Sequence, residues 1–143
     1  MNITLDTRLT EDTYPLGAFN DCLLLLSKNA LFPWFILVPD TRETEFHKLN
    51  SKQQTNIQQH INAVSHFIEE CFPTDKINIA SIGNIVSQCH IHIIGRHHND
   101  ACWPNVAWGT PLFKAYEKGE VAAIKSRLTD TLQGSFRAVG TES

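Results

Sequence analysis

The chain has 143 residues, 42% of them hydrophobic and 19% charged, with a net charge of −3. That length suits one domain with its own core, and the acidic balance excludes an extended nucleic-acid surface, which needs clustered Lys and Arg. The longest apolar runs, Cys22–Leu26 and Phe35–Val38, are far too short to cross a bilayer, and no basic-then-apolar leader surrounds Asp6 and Arg8, so the chain reads as cytoplasmic. Residues up to about Ala18 show little periodicity, and Pro15-Leu16-Gly17 reads as a turn. Asp21–Ser27 and Trp34–Val38 read as strands buried on both faces. A short helical turn is expected near Glu43–Leu49.

The clearest helix follows Asn50. Ser51 and Gln54 have the spacing of a capping box, in which the two side chains satisfy free backbone amides. Ile57, Ile61, Val64, Phe67 or Ile68, and Cys71 then recur at helical spacing, and Phe72-Pro73 ends the run. Lys76–Ile82 alternates like a strand, Gly83-Asn84 makes a turn, and a second strand follows over Gln88–Ile94. Thr110-Pro111 has the form of an N-cap with proline in the first helical position. Val121, Ile124, Leu128 and Leu132 mark an amphipathic C-terminal helix that stops at Gly134. This pattern predicts an α+β domain over residues 1–134, with 135–143 as a flexible tail. The four cysteines, Cys22, Cys71, Cys89 and Cys102, form no Cys-x-x-Cys unit and read as buried thiols.

Chemistry concentrates in Gln88-Cys89-His90-Ile91-His92-Ile93-Ile94-Gly95-Arg96. Side chains alternate faces along a strand, so Gln88, His90 and His92 share one face and the apolar residues the other. Two imidazoles two residues apart can act together on one small anionic group. With its flanks this segment resembles the histidine-triad superfamily of nucleotide hydrolases and transferases, whose signature is His-φ-His-φ-His-φ-φ with φ apolar. The middle position falls on His90 and the third on His92, while the first is Gln88. Ser81–Gln88 resembles the family's Gly-containing loop, Pro33–Pro39 its Pro-Gly-His-φ-φ-Val-x-Pro strand, and Trp103-Pro104 a pair found in one branch. The resemblance spans roughly residues 3–109.

The resemblance implies a five-stranded antiparallel sheet packed by a long central helix and a C-terminal helix, commonly paired into a homodimer. It implies that His90 attacks the α-phosphate of a nucleoside phosphate, dinucleoside polyphosphate or nucleoside phosphoramidate and carries the nucleotidyl group. His92 then assists the departing group, and the Gln88 backbone carbonyl orients His90. Asn84 and Gly83 fall where the family contacts phosphates, and Ser27 or Asn29 where it binds ribose. Arg96 and Trp103 are further substrate-binding candidates, with Arg96, His97 and His98 either at the phosphate end or in a solvated loop, and Trp103 and Trp108 either over a base or packed at a dimer interface. Phe35 stands where the family has a histidine near its first triad position, so two polar partners are replaced together. Hexose-phosphate uridylyltransferases in the superfamily also carry Gln for a triad histidine, at the third position. No cofactor is required on this reading, and magnesium enters only with the substrate. Two alternatives stand beside it: a nucleotide-binding protein without the reaction, and zinc held by His90, His92, His97, His98 and Cys102.

Overall fold

The computed structural model describes residues 1–140. Six antiparallel strands form one sheet in the order β4-β5-β3-β2-β1-β6. These are β1 (Thr13–Ala18), β2 (Cys22–Ser27), β3 (Trp34–Pro39), β4 (Lys76–Ala80), β5 (Ile91–Arg96) and β6 (Arg137–Ala138). Three helices accompany them: α1 (Thr7–Asp12), α2 (Ser51–Cys71) and α3 (Glu120–Thr131). The α+β antiparallel architecture expected from the sequence is therefore present, with one short strand more than expected.

The central strands β2 and β3 are apolar on both sides because both sides are covered. Leu24, Leu26, Phe35, Leu37, Ile91 and Ile93 meet Ile57, Ile61, Val64, Phe67 and Ile68 of α2, and Ile124 and Leu128 of α3, which lies against β1 and β6, complete the cluster. Leu25, Ile36 and Val38 face the other way and pack with Leu9 of α1 and Val86. On that second face Ile36 lies opposite His92 in the β3–β5 register. Gly95 lets β5 approach its neighbours: a Cβ there would lie 2.5 Å from Cγ2 of Ile68 and 2.8 Å from Cγ of Pro33.

Several local expectations change. The segment before Ala18 is not irregular. Asp6 caps α1 by accepting from the Arg8 amide, and Pro15–Gly17 is a bulge inside β1 rather than a turn. A strand with a bulge loses strict alternation, which hid it. The short turn near Glu43–Leu49 is a single 3-10 turn over Phe46–Lys48. The capping box of α2 sits one residue earlier than expected, with Asn50 and Gln53 exchanging side-chain and backbone bonds. The last helix starts at Glu120, not at Thr110. Asn29 anchors the intervening segment, donating to the Leu112 carbonyl and accepting from the Lys114 amide. Phe72, which follows α2, packs with Phe35 and Phe67 on the helix side of the sheet.

The expected loose end is also partly ordered. Phe136 is buried against Phe19, and β6 adds to the edge of β1. The part of the expected tail over 141–143 lies outside the described residues.

Candidate active site

The second face of the sheet opens into a pocket of about 660 Å³. His90, His92, Ser27, Asn29, Gly83 and Asn84 line it, together with Arg8, Asp12, Lys28, Trp34 and Trp108. His90 lies just before β5 and His92 within it, so the two-residue spacing puts both rings on the pocket side. Their centroids are 5.0 Å apart, and both residues are buried.

Each imidazole has one nitrogen spoken for, and in opposite senses. Nδ1 of His90 lies 2.6 Å from the Gln88 backbone carbonyl. A carbonyl only accepts, so Nδ1 donates and the lone pair of the neutral ring sits on Nε2. At His92 the indole Nε1–H of Trp34 donates to Nδ1 at 2.9 Å. An indole only donates, so the proton of neutral His92 sits on Nε2. Burial, followed by the neighbouring His90, pushes the His92 pKa down to about 4. Trp34 and Trp108 each meet its ring edge to face, at centroid distances of 5.8 and 5.5 Å.

The Gln88 side chain does not share this face, because the chain has not yet entered the strand there. Its amide oxygen accepts from the Asp6 amide at 2.8 Å and its nitrogen donates to the Thr4 carbonyl at 3.1 Å. It thereby ties the N-terminal segment to the loop before β5, and only its backbone reaches His90. Phe35 is likewise elsewhere, in the helix-side core with Phe67 and Phe72, so the two replaced positions are not partners across the site.

Arg96 is not at the phosphate end. It is buried, and its guanidinium grips Asp100 at 2.7 and 3.0 Å while also donating to Asn78 and the Asn105 carbonyl. Burial works against the charge on Asp100. The Arg96 bond and the His97 and Cys102 amides outweigh that and hold its pKa at about 2. Trp103 lies over this guanidinium and beside His98, away from the pocket. His97, His98 and Cys102 belong to the same loop, with His98 beside Asp75, so they do not join His90 and His92 as a zinc set. Among the described residues, the group of three such side chains with donor atoms all within 4.8 Å of one another is Asp21, Cys22 and His60. There the Asp21 carboxylate already takes bonds from His60 at 2.7 Å and Asn56 at 3.3 Å.

Of the ribose candidates, Asn29 lines the pocket with its amide engaged in holding the 112–114 segment, while Ser27 accepts only from the Asn29 amide. Sequence reasoning missed Trp34, Arg8, Asp12 and Lys28. Trp34 had a signal: it is two residues from Ile36, and period-two alternation puts it on the same face as His92.

Comparison with known proteins agrees with this geometry. The HIT domain family model matches residues 10–99. A histidine triad protein from Bradyrhizobium japonicum is 37% identical, with a TM-score of 0.85 over 90% of this chain and 96% of its own. One from Marinobacter aquaeolei VT8 is 35% identical, with a TM-score of 0.84 over 90% of this chain and 95% of its own. The diadenosine triphosphate hydrolase of Plasmodium falciparum, solved with Cyclomarin A, shares the fold at 16% identity, with a TM-score of 0.54 over 84% of this chain and 82% of its own. No curated protein matches the chain. A family model covering most of the chain, with two near-full-length relatives above one-third identity, agrees with the His-x-His strand: the chain belongs to the histidine triad family.

Proposed function

We propose that the protein cleaves or transfers a nucleoside monophosphate unit, with His90 attacking the α-phosphate of a nucleoside phosphate, dinucleoside polyphosphate or nucleoside phosphoramidate. The observation that carries this reading is the 2.6 Å bond between Nδ1 of His90 and the Gln88 carbonyl. It leaves Nε2 with a lone pair beside a pocket of about 660 Å³. A neutral imidazole attacks phosphorus without first losing a proton, unlike serine. As the N–P bond forms, the bond to the leaving group breaks, and the Nδ1–H bond supports the positive charge the ring acquires. Water or another acceptor then takes the nucleotidyl group and frees His90. The Nε2–H of His92 stabilises charge on the departing atom.

Asn84 and Gly83 contact the phosphates and Ser27 the ribose, while Trp108 replaces Trp103 as the aromatic flank for a base. No resident metal is needed, since the nucleophile requires no metal-bound hydroxide, and magnesium accompanies the substrate. The protein acts in the cytoplasm as a homodimer. No helix of the described residues is long and apolar enough to cross a membrane.

Mass spectrometry of protein quenched after mixing with a panel of nucleotide substrates tests the reading. The expected result is a gain of one nucleoside monophosphate on the wild type and none on His90→Ala. Nucleotide binding with neither adduct nor turnover would support a binding protein instead. The diversion of the Gln88 side chain to Thr4 and Asp6, which leaves no third proton-carrying group at that position, favours that second reading.

A further inference from the structure

Resting on His90 as the nucleophile, we propose that Trp34 is a positioning residue that fixes His92 as a neutral Nε2–H donor. The site therefore takes nucleoside phosphoanhydrides, whose phosphate leaving group departs as an anion, in preference to phosphoramidates, whose amine leaving group needs a proton.

The 2.9 Å bond from Trp34 Nε1 to His92 Nδ1 carries the first half. The indole has a proton and no lone pair to offer, so it chooses the tautomer of the imidazole it faces. It also opposes the charged form, because a proton on Nδ1 would set two N–H groups head to head and lose the bond. Among the described residues, no group bonded to His92 compensates for a charge. Rings of Trp34, Trp108 and His90 surround it at 5.8, 5.5 and 5.0 Å. No carboxylate bonds to it among the described residues, whereas His60 meets Asp21 at 2.7 Å. His90 is the titratable group against it, and Arg8 and Asp12 from the α1 side and Lys28 after β2 line the same pocket.

The second half follows from proton balance. With an anhydride, the His90 Nε2 lone pair forms the N–P bond and the P–O electron pair passes to the departing phosphate oxygen. The new charge spreads over that phosphate and accepts the His92 Nε2–H bond, and no proton moves. With a phosphoramidate, the P–N electron pair lands on a nitrogen too basic to leave as an anion, so a proton must arrive as the bond breaks. A neutral imidazole held by Trp34 would become an imidazolate on giving up its proton. It donates a hydrogen bond but is no general acid, and a general acid contributes about 100-fold or more.

Long-range proton–nitrogen NMR reads the tautomer without reference to activity. In the wild type, His92 is expected to show an unprotonated Nδ1 and a protonated Nε2 from about pH 5 to about pH 8. In Trp34→Phe, mixed tautomers and a higher protonation midpoint are expected. A wild-type His92 that is charged at about pH 6, or that carries its proton on Nδ1, overturns the role of Trp34. The kinetic arm compares an anhydride and a phosphoramidate of the same nucleoside monophosphate. The expected kcat/KM preference is roughly 100-fold for the anhydride, narrowing in Trp34→Phe. Equal rates, or preference for the phosphoramidate, overturn the leaving-group assignment. Turnover of neither overturns that assignment together with the nucleotidyl-transfer reading, while the NMR result still decides the role of Trp34.

Discussion

His90, His92 and Gln88 lie within five residues yet have three different jobs in the geometry, and substitution separates them. Under the proposed mechanism His90→Ala removes the attacking nitrogen, so adduct and turnover should vanish together, a loss on the order of 5 kcal/mol or more in barrier height. His92→Ala should slow the adduct without abolishing it, by roughly 3 kcal/mol for one lost donor. Gln88→Ala keeps the carbonyl that holds His90 and loses only the bonds to Asp6 and Thr4. It should therefore lower the melting temperature through about 1 kcal/mol per lost bond while leaving single-turnover rates nearly intact. A Gln88→Ala variant as inactive as His90→Ala would make the side chain itself catalytic.

His92 also carries a pH signature. Its pKa is about 4 when folded against an ordinary value of 6.5. Above that ordinary value neither state binds the proton. As the pH falls toward 4, the unfolded chain binds a proton that the folded site refuses, so stability declines. The full loss is about 3 kcal/mol. Urea unfolding at intervals across this range should show the decline in the wild type and a smaller one in His92→Gln.

At the scale of elements, the sheet and α2 are held together where side chains stop and backbone approaches. Gly95 lies three residues beyond His92, and a methyl group there meets Ile68 and Pro33 at 2.5 and 2.8 Å. Gly95→Ala should destabilise the fold by about 1–3 kcal/mol, read by thermal unfolding, because β5 must shift away from α2. The long helix was legible from Ile57, Ile61 and Val64 because an amphipathic stripe has one explanation. Its cap was one residue off because Asn50 and Ser51 both cap well and Gln53 and Gln54 both complete the box. The start of α3 was less legible. A Thr-Pro pair caps a helix only if the following backbone is free, and Asn29, more than 80 residues away in sequence, already holds it.

For the whole molecule, the two edges of the sheet differ. One ends in the two-residue β6, and the other in β4 with Ile79 half exposed. An open strand edge with an apolar side chain is a template for another chain. A homodimer paired through β4 is accordingly expected, with a dimer by sedimentation at micromolar concentration and a monomer for Ile79→Lys. A wild-type monomer would overturn the pairing, and a dimeric Ile79→Lys would move it to another surface.

Local pattern by itself determined the α+β class, the strands read over 21–27 and 34–38, the central helix and the two histidines on one face. Period and capping are properties of neighbouring residues, so they survive without knowledge of the rest. Tertiary structure decided which polar groups were free to act. Arg96 had the chemistry for phosphate but is consumed by Asp100, and Gln88 shares the histidine spacing but turns its side chain to Asp6. Trp34, 58 residues before His92, supplies the proton that sets its tautomer. A hydrogen bond between strands distant in sequence leaves no periodic trace, and the buried donor or acceptor that a group finds is known only when the chain has closed around it.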